Sequence, residues 1–122
     1  MLSQAGEQRA ERLVRVLKDV RITAIYTSEF QRTKKTAEPL ARTLKISPVS
    51  IPIADREGLV KRIRTDNRED VVLIVGHSQS LTGLLKSFGS PDDVNITADE
   101  FDNLFIVVPA ANGPPTVLRL RY

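Results

Sequence analysis

The chain has 122 residues, 18 Lys and Arg against 15 Asp and Glu, a formal charge of +3, and neither cysteine nor tryptophan. That length suits a single domain over 1–122, with room for a real hydrophobic core. The absence of cysteine excludes a disulfide framework, a thiolate metal site and a cysteine nucleophile. A single histidine, His77, excludes any two-histidine metal site.

The elements alternate along the chain. Ser3 caps a predicted helix from about Gln4 to Asp19, whose apolar face is Ala10, Leu13, Val14 and Leu17. Ile22 to Tyr26 reads as a short strand. Ser28 followed three residues later by Gln31 fits a capping box, opening a helix to about Thr43 that Pro39 should kink or divide. Pro48 to Ile53 is extended, and Leu59, Val60 and Ile63 predict a helix from about Arg56 to Thr65. Val71 to Val75 is continuously apolar, as a parallel strand buried on both faces would be. Leu81, Leu84, Leu85 and Phe88 mark the next helix, ending near Gly89. The polar and acidic stretch Pro91 to Asn103 reads as a surface loop. Leu104–Val108 and Thr116–Arg121 then form a hairpin around Ala110, Asn112, Gly113 and Pro114. Its last strand alternates Leu118, Leu120 and Tyr122 with Val117, Arg119 and Arg121, which predicts a half-exposed edge. This order argues for an α/β layered fold, with strands 22–26 and 71–75 parallel and helices on both faces.

Several function classes receive no support. The six aromatic residues do not alternate with Lys or Arg, so no nucleic-acid surface is expected. The longest apolar run, Val71 to Gly76, is too short to span a membrane. The opening residues Met1 to Gly6 lack the regions of a signal peptide, which leaves the cytoplasm as the default compartment. No ligand cluster implies a metal or an organic cofactor. Asp92, Asp93, Asp99, Glu100 and Asp102 lack calcium-loop spacing and read as solvated, as do Lys34–Lys35 and Lys61–Arg62.

In open α/β sheets, ligands bind beyond the carboxyl ends of the strands. Two segments belong there, Tyr26 to Thr33 and Gly76 to Gln79, and each leads into a helix N-terminus that favours an anion. Arg32 in a first helical turn opposes the helix dipole, at a cost of about 0.3–1 kcal/mol. A bidentate oxyanion contact would offset that cost. Arg32 and His77 are therefore the candidates to meet one anionic group, most plausibly phosphate. Each also has a plainer reading: a surface arginine, and a histidine in a capping turn. Ser78 reads better as a helix cap than as a nucleophile, because it lacks the flanking glycines of a nucleophile elbow.

Taken in series, three segments resemble the histidine phosphatase superfamily, with its phosphoglycerate-mutase-like fold. They are Leu2 to Ala10, Tyr26 to Ala37 (with Ser28, Arg32, Thr33, Thr36 and Ala37 at matching places) and Val72 to Ser78. The small size and Phe101 to Phe105 are most similar to the short bacterial branch near the SixA-type phosphohistidine phosphatases. The resemblance implies a three-layer α/β/α sandwich acting on a phosphorylated small molecule or phosphoprotein, without a metal. It implies that Arg32 binds the phosphoryl oxygens and that His77 supports charge on the transferring group. Ser78 would line the pocket. The family's first central strand, ending in Arg-His-Gly with the nucleophilic histidine, is missing, and His77 matches the other position.

Gln79 stands where the branch has Asn, and Glu57 reads as an exposed glutamate at a helix start rather than a general acid. Two readings follow: an N-terminally truncated phosphatase whose activity belongs to a longer protein, or a pseudoenzyme that binds phospho-ligands or a partner. An unrelated α/β nucleotide-binding module is a third, without a glycine-rich loop to support it. Loss of a central strand would also expose its neighbour and invite self-association.

Overall fold

A computed structural model describes residues 2–66, 71–91, 93–110 and 112–122. Asp92 of the acidic stretch and one position of the hairpin turn lie outside them. The described chain forms two compact units, meeting in sequence between Gly76 and His77.

The first unit opens with α1, Gln4–Leu17. The Ser3 hydroxyl accepts the Gly6 N–H at 3.1 Å, as the capping signal predicts. Ala10, Leu13 and Leu17 are buried, while Val14 is half-buried. β1, Ile22–Thr27, follows. Ile25 and Tyr26 point to opposite faces of the sheet, yet are only 1% and 4% exposed. Both faces of β1 are therefore covered. β1 pairs in parallel with β2, Val49–Ser50, on one side and with β3, Val71–Val75, on the other. The strand order is β2-β1-β3.

β1, and not β3, is thus the central strand. Val71 is 47% exposed, and of β3 only Leu73 is buried. The continuous apolar run predicted burial on both faces. At a sheet edge that burial is incomplete.

α2, Gln31–Leu44, packs on β1 and β3, and α1 packs on α2. Two expectations for α2 are corrected. Pro39 does not divide the helix, although it removes one backbone donor. An interior proline costs about 3 kcal/mol, and burial of Ala37, Leu40 and Ala41 around it offsets the loss. Ser28 does not cap the helix either; the cap position is Phe30, without a side-chain bond. α3, Arg56–Asp66, starts where Asp55 accepts the Gly58 N–H through Oδ1 at 3.1 Å. The Arg62 guanidinium of α3 lies 5.7 Å from the centre of the Tyr26 ring.

The second unit comprises α4, Ser78–Ser87, and the antiparallel hairpin of β4, Asn103–Val108, with β5, Thr116–Arg121. Gly89 ends α4 at φ +98°, and a β-carbon there would sit 3.2 Å from Pro115 Cδ. In the hairpin Ile106 faces Leu118 and Leu104 faces Leu120. β5 is an exposed edge along most of its length: only Val117 is half-buried, and Leu118 is 49% and Leu120 44% exposed. On the opposite face Arg119 lies 5.2 Å over the half-buried Phe105 ring.

A polar knot ties the loop before β4 to β5. Glu100 accepts from Asn103 Nδ2 at 2.7 Å and from the Thr97 hydroxyl at 3.0 Å, and pairs with Arg119 at 3.0 Å and Arg121 at 3.1 Å. These contacts hold its carboxyl at about 2, down from 4.5. The Asn103 bond contributes most, then the Thr97 hydroxyl and N–H, and then the charge of Arg121; desolvation opposes them. The folded value lies below the unfolded one. The ionised carboxylate therefore stabilises the hairpin fully above about 4.5, and that contribution is lost as pH falls towards 2. A carboxyl-detected NMR titration should place the Glu100 midpoint near 2, and Asn103→Ala should move it back towards 4.5. A midpoint near 4.5 in the unmodified chain would contradict the knot.

Candidate functional site

The parallel register sets Thr27 opposite Val75 on one side and opposite Ser50 on the other. The carboxyl ends of three strands therefore lie side by side within the first unit. The loop Ser28–Phe30 leaves this edge and enters α2.

Hydroxyl groups hold that loop. Ser28 is buried, and its carbonyl accepts from the hydroxyls of Thr27 at 3.0 Å and Ser50 at 3.2 Å. The Ser28 hydroxyl accepts the Phe30 N–H at 3.4 Å and lies 2.9 Å from the Thr33 hydroxyl, which itself reaches the Phe30 carbonyl at 2.9 Å. One assignment satisfies them all: Ser28 donates to Thr33, and Thr33 donates to Phe30. Two further bonds fasten the loop to the chain after β2. The Ile51 N–H donates to the Thr27 carbonyl at 2.9 Å, and the Ile53 N–H donates to Glu29 Oε1 at 2.9 Å.

Arg32 stands between the tied residues. Thr33 is 3% exposed and points inward, whereas Arg32 beside it is exposed. The first turn of α2 holds no acidic residue. Among the described residues no carboxylate pairs with the Arg32 guanidinium. Lys35, in contrast, pairs with Glu38 at 3.3 Å, as a solvated face would. A fixed loop thus presents an unpaired guanidinium beside the free N–H groups of a 14-residue helix, an arrangement suited to an anion.

In the second unit His77 is half-buried and occupies the cap position of α4. Its N–H donates to the Ser80 hydroxyl at 3.0 Å, and that hydroxyl donates back to the His77 carbonyl at 3.0 Å. The cap expected at Ser78 is therefore displaced by one residue, because His77 already has the extended backbone of a cap. Ser78 is the first helical residue, and its carbonyl accepts from the Thr82 hydroxyl at 3.2 Å. His77 and Ser78 thus stand together at one helix start, and Arg32 stands at another, in the other unit. Gln79 and Glu57 are exposed. Among the described residues no three His, Asp or Glu side chains gather as a metal site. No described helix is long and apolar enough to cross a membrane.

Sequence reasoning missed the roles of Thr33, Ser50 and Glu29. Ser28 was noticed, but as a helix cap. The usable signal was a cluster of hydroxyl residues just beyond a strand, where carbonyls need partners.

Thr33→Val removes a buried hydroxyl from this network and should destabilise the chain by about 1–3 kcal/mol. Arg32→Ala should change stability by no more than about 0.5 kcal/mol, as exposed sites usually do. Denaturant unfolding of both variants checks the contrast; equal losses would contradict the division between a structural Thr33 and a free Arg32.

The fold is found in proteins of known structure. A mycobacterial glucosyl-3-phosphoglycerate phosphatase matches with a TM-score of 0.60 and 14% identity, over 72% of this chain and 67% of that one. A phosphoglycerate mutase from Plasmodium falciparum matches with a TM-score of 0.57 and 14% identity, over 98% of this chain and 80% of that one. No curated protein sequence matches the chain. Residues 1–60, which include α1, β1 and the Arg32 loop, match the histidine phosphatase superfamily (branch 1). The chain has a phosphoglycerate-mutase-like α/β fold, and its N-terminal part carries the signature of that superfamily.

Proposed function

We propose that this is a histidine-phosphatase-like domain of the short SixA-like branch, working in the cytoplasm. In this reading it binds a phosphorylated small molecule or phosphoprotein through Arg32, His77 and Ser78. The observation that carries the reading is the Arg32 guanidinium: it is exposed, without a carboxylate partner among the described residues, and inside the stretch that matches the superfamily. Arg32 supplies two parallel donors to phosphoryl oxygens, and the N–H groups of the α2 start add to the anion's stabilisation. By the resemblance, His77 supports charge on the transferring group and Ser78 lines the pocket.

Binding and turnover separate at the histidine count. A covalent phosphohistidine step needs an imidazole aimed at phosphorus. These 122 residues contain one imidazole, and it matches the supporting position. The reading is therefore binding without turnover. In a longer form of the protein, a second histidine upstream would supply the nucleophile and the activity with it.

Orthovanadate or inorganic phosphate should raise the melting temperature of the purified chain. Ligand at a hundredfold its Kd adds about 2.7 kcal/mol to stability. Arg32→Ala should abolish that rise, and its absence in the unmodified chain would overturn the binding reading. The same chain should hydrolyse a generic aryl phosphate no faster than background. Turnover that disappears in His77→Ala would contradict binding without turnover.

A further inference from the structure

Glu29 and Glu38 are the acids that flank Arg32 in sequence, and each accepts from another donor. Glu38, on α2, pairs with Lys35 and with Arg42, both at 3.3 Å. Glu29 is three residues before Arg32 and immediately precedes Phe30, the cap position of α2. Two attractions would draw its carboxylate to the start of that helix. Negative charge is favoured at a helix N-terminus, and side chains three residues apart there are neighbours. Glu29 Oε1 instead accepts the Ile53 N–H at 2.9 Å, 24 residues along the chain. The turn that supplies this donor is closed by the Asp55 N–H, which donates to the Pro52 carbonyl at 2.8 Å and leaves Ile53 in the second position. The N–H of that position takes no part in the turn's own hydrogen bond. Two further bonds set the chain before the turn against the Arg32 loop: the Ser50 hydroxyl to the Ser28 carbonyl at 3.2 Å, and the Ile51 N–H to the Thr27 carbonyl at 2.9 Å. The donor is therefore held in place independently of Glu29.

We propose that Ile53 is a positioning residue for the anion site: its N–H holds the Glu29 carboxylate and so keeps Arg32 out of an internal ion pair. The consequence for binding rests on the phosphate reading above, whereas the geometry rests on bonds within the first unit alone. The effect is electrostatic. A carboxylate turned onto Arg32 would occupy the guanidinium that phosphoryl oxygens need, and would set negative charge beside the N–H groups that open α2. Glu29 is neither a ligand nor an acid in this account. What matters is where its charge is kept, and a main-chain donor keeps it there without adding a cation that would compete for the anion.

Ile53→Pro isolates the N–H, because proline is favoured in the second position of such a turn and deletes one donor. Titration of the full chain with orthovanadate should show a Kd raised about three- to tenfold in this variant. Adding Glu29→Ala should restore the Kd, since the released carboxylate is then gone. NMR of the ligand-free chain separates this inference from the binding reading: the Arg32 Nε–H resonance should shift in Ile53→Pro and return in the double variant. The bond itself is read without proline, since the Ile53 amide should exchange slowly in the unmodified chain and faster in Glu29→Ala. If the unmodified chain bound no orthovanadate, the phosphate reading would fall, and the ligand-free Arg32 resonance would still decide this inference. An Arg32 resonance unmoved by Ile53→Pro, a double variant as altered as Ile53→Pro alone, or Ile53 exchange indifferent to Glu29→Ala would each overturn the proposal.

Discussion

The parallel pairing of β1 with β3 is the constraint on which the rest of the first unit depends. It sets Thr27 level with Val75, so the loop that carries Arg32 leaves the sheet where the carboxyl ends of its strands lie side by side. It also gives α2 a surface to cover, through Ala37, Leu40 and Ala41. That burial is strong enough to carry the helix through Pro39. The hydroxyl network around Ser28 then converts the end of a strand into a rigid start for α2. Arg32 is left outward because Thr33, its neighbour, is held inward.

Much of this was legible in the sequence. The Ser3 cap, the β3 boundaries and the parallel arrangement follow from local chemistry and apolar pattern alone. What failed has a physical reason in each case. Ser28 offered a capping pattern, but its hydroxyl found Thr33 and its carbonyl found Thr27 and Ser50; the Ser50 contact is long-range and no local pattern encodes it. The apolar run of β3 indicated a wish for burial, and the strand order shows that the need is only partly met. Leu118 and Leu120 alternate with arginines, yet alternation alone does not say whether a hairpin face is covered. Arg32 was legible by contrast, because a cation in a first helical turn is locally unfavourable and calls for a compensating anion.

The histidine count separates two questions that the fold joins. The structural neighbours show a phosphoglycerate-mutase-like architecture, and residues 1–60 match the histidine phosphatase superfamily model. Phosphoryl transfer through histidine asks for an imidazole aimed at phosphorus, and the sequence holds one imidazole, His77. In the proposed reading, recognition of an anion rests on the Arg32 guanidinium and the helix N–H groups, which act without a nucleophile.

The most direct measurement is a two-dimensional NMR titration of the isotopically labelled chain with orthovanadate, observing backbone amides and arginine Nε–H groups together. The account predicts saturable shifts at the Arg32 Nε–H, at the amides that open α2, and at His77 and Ser78. Shifts confined to other cations, such as the exposed Arg15 of α1, would contradict it.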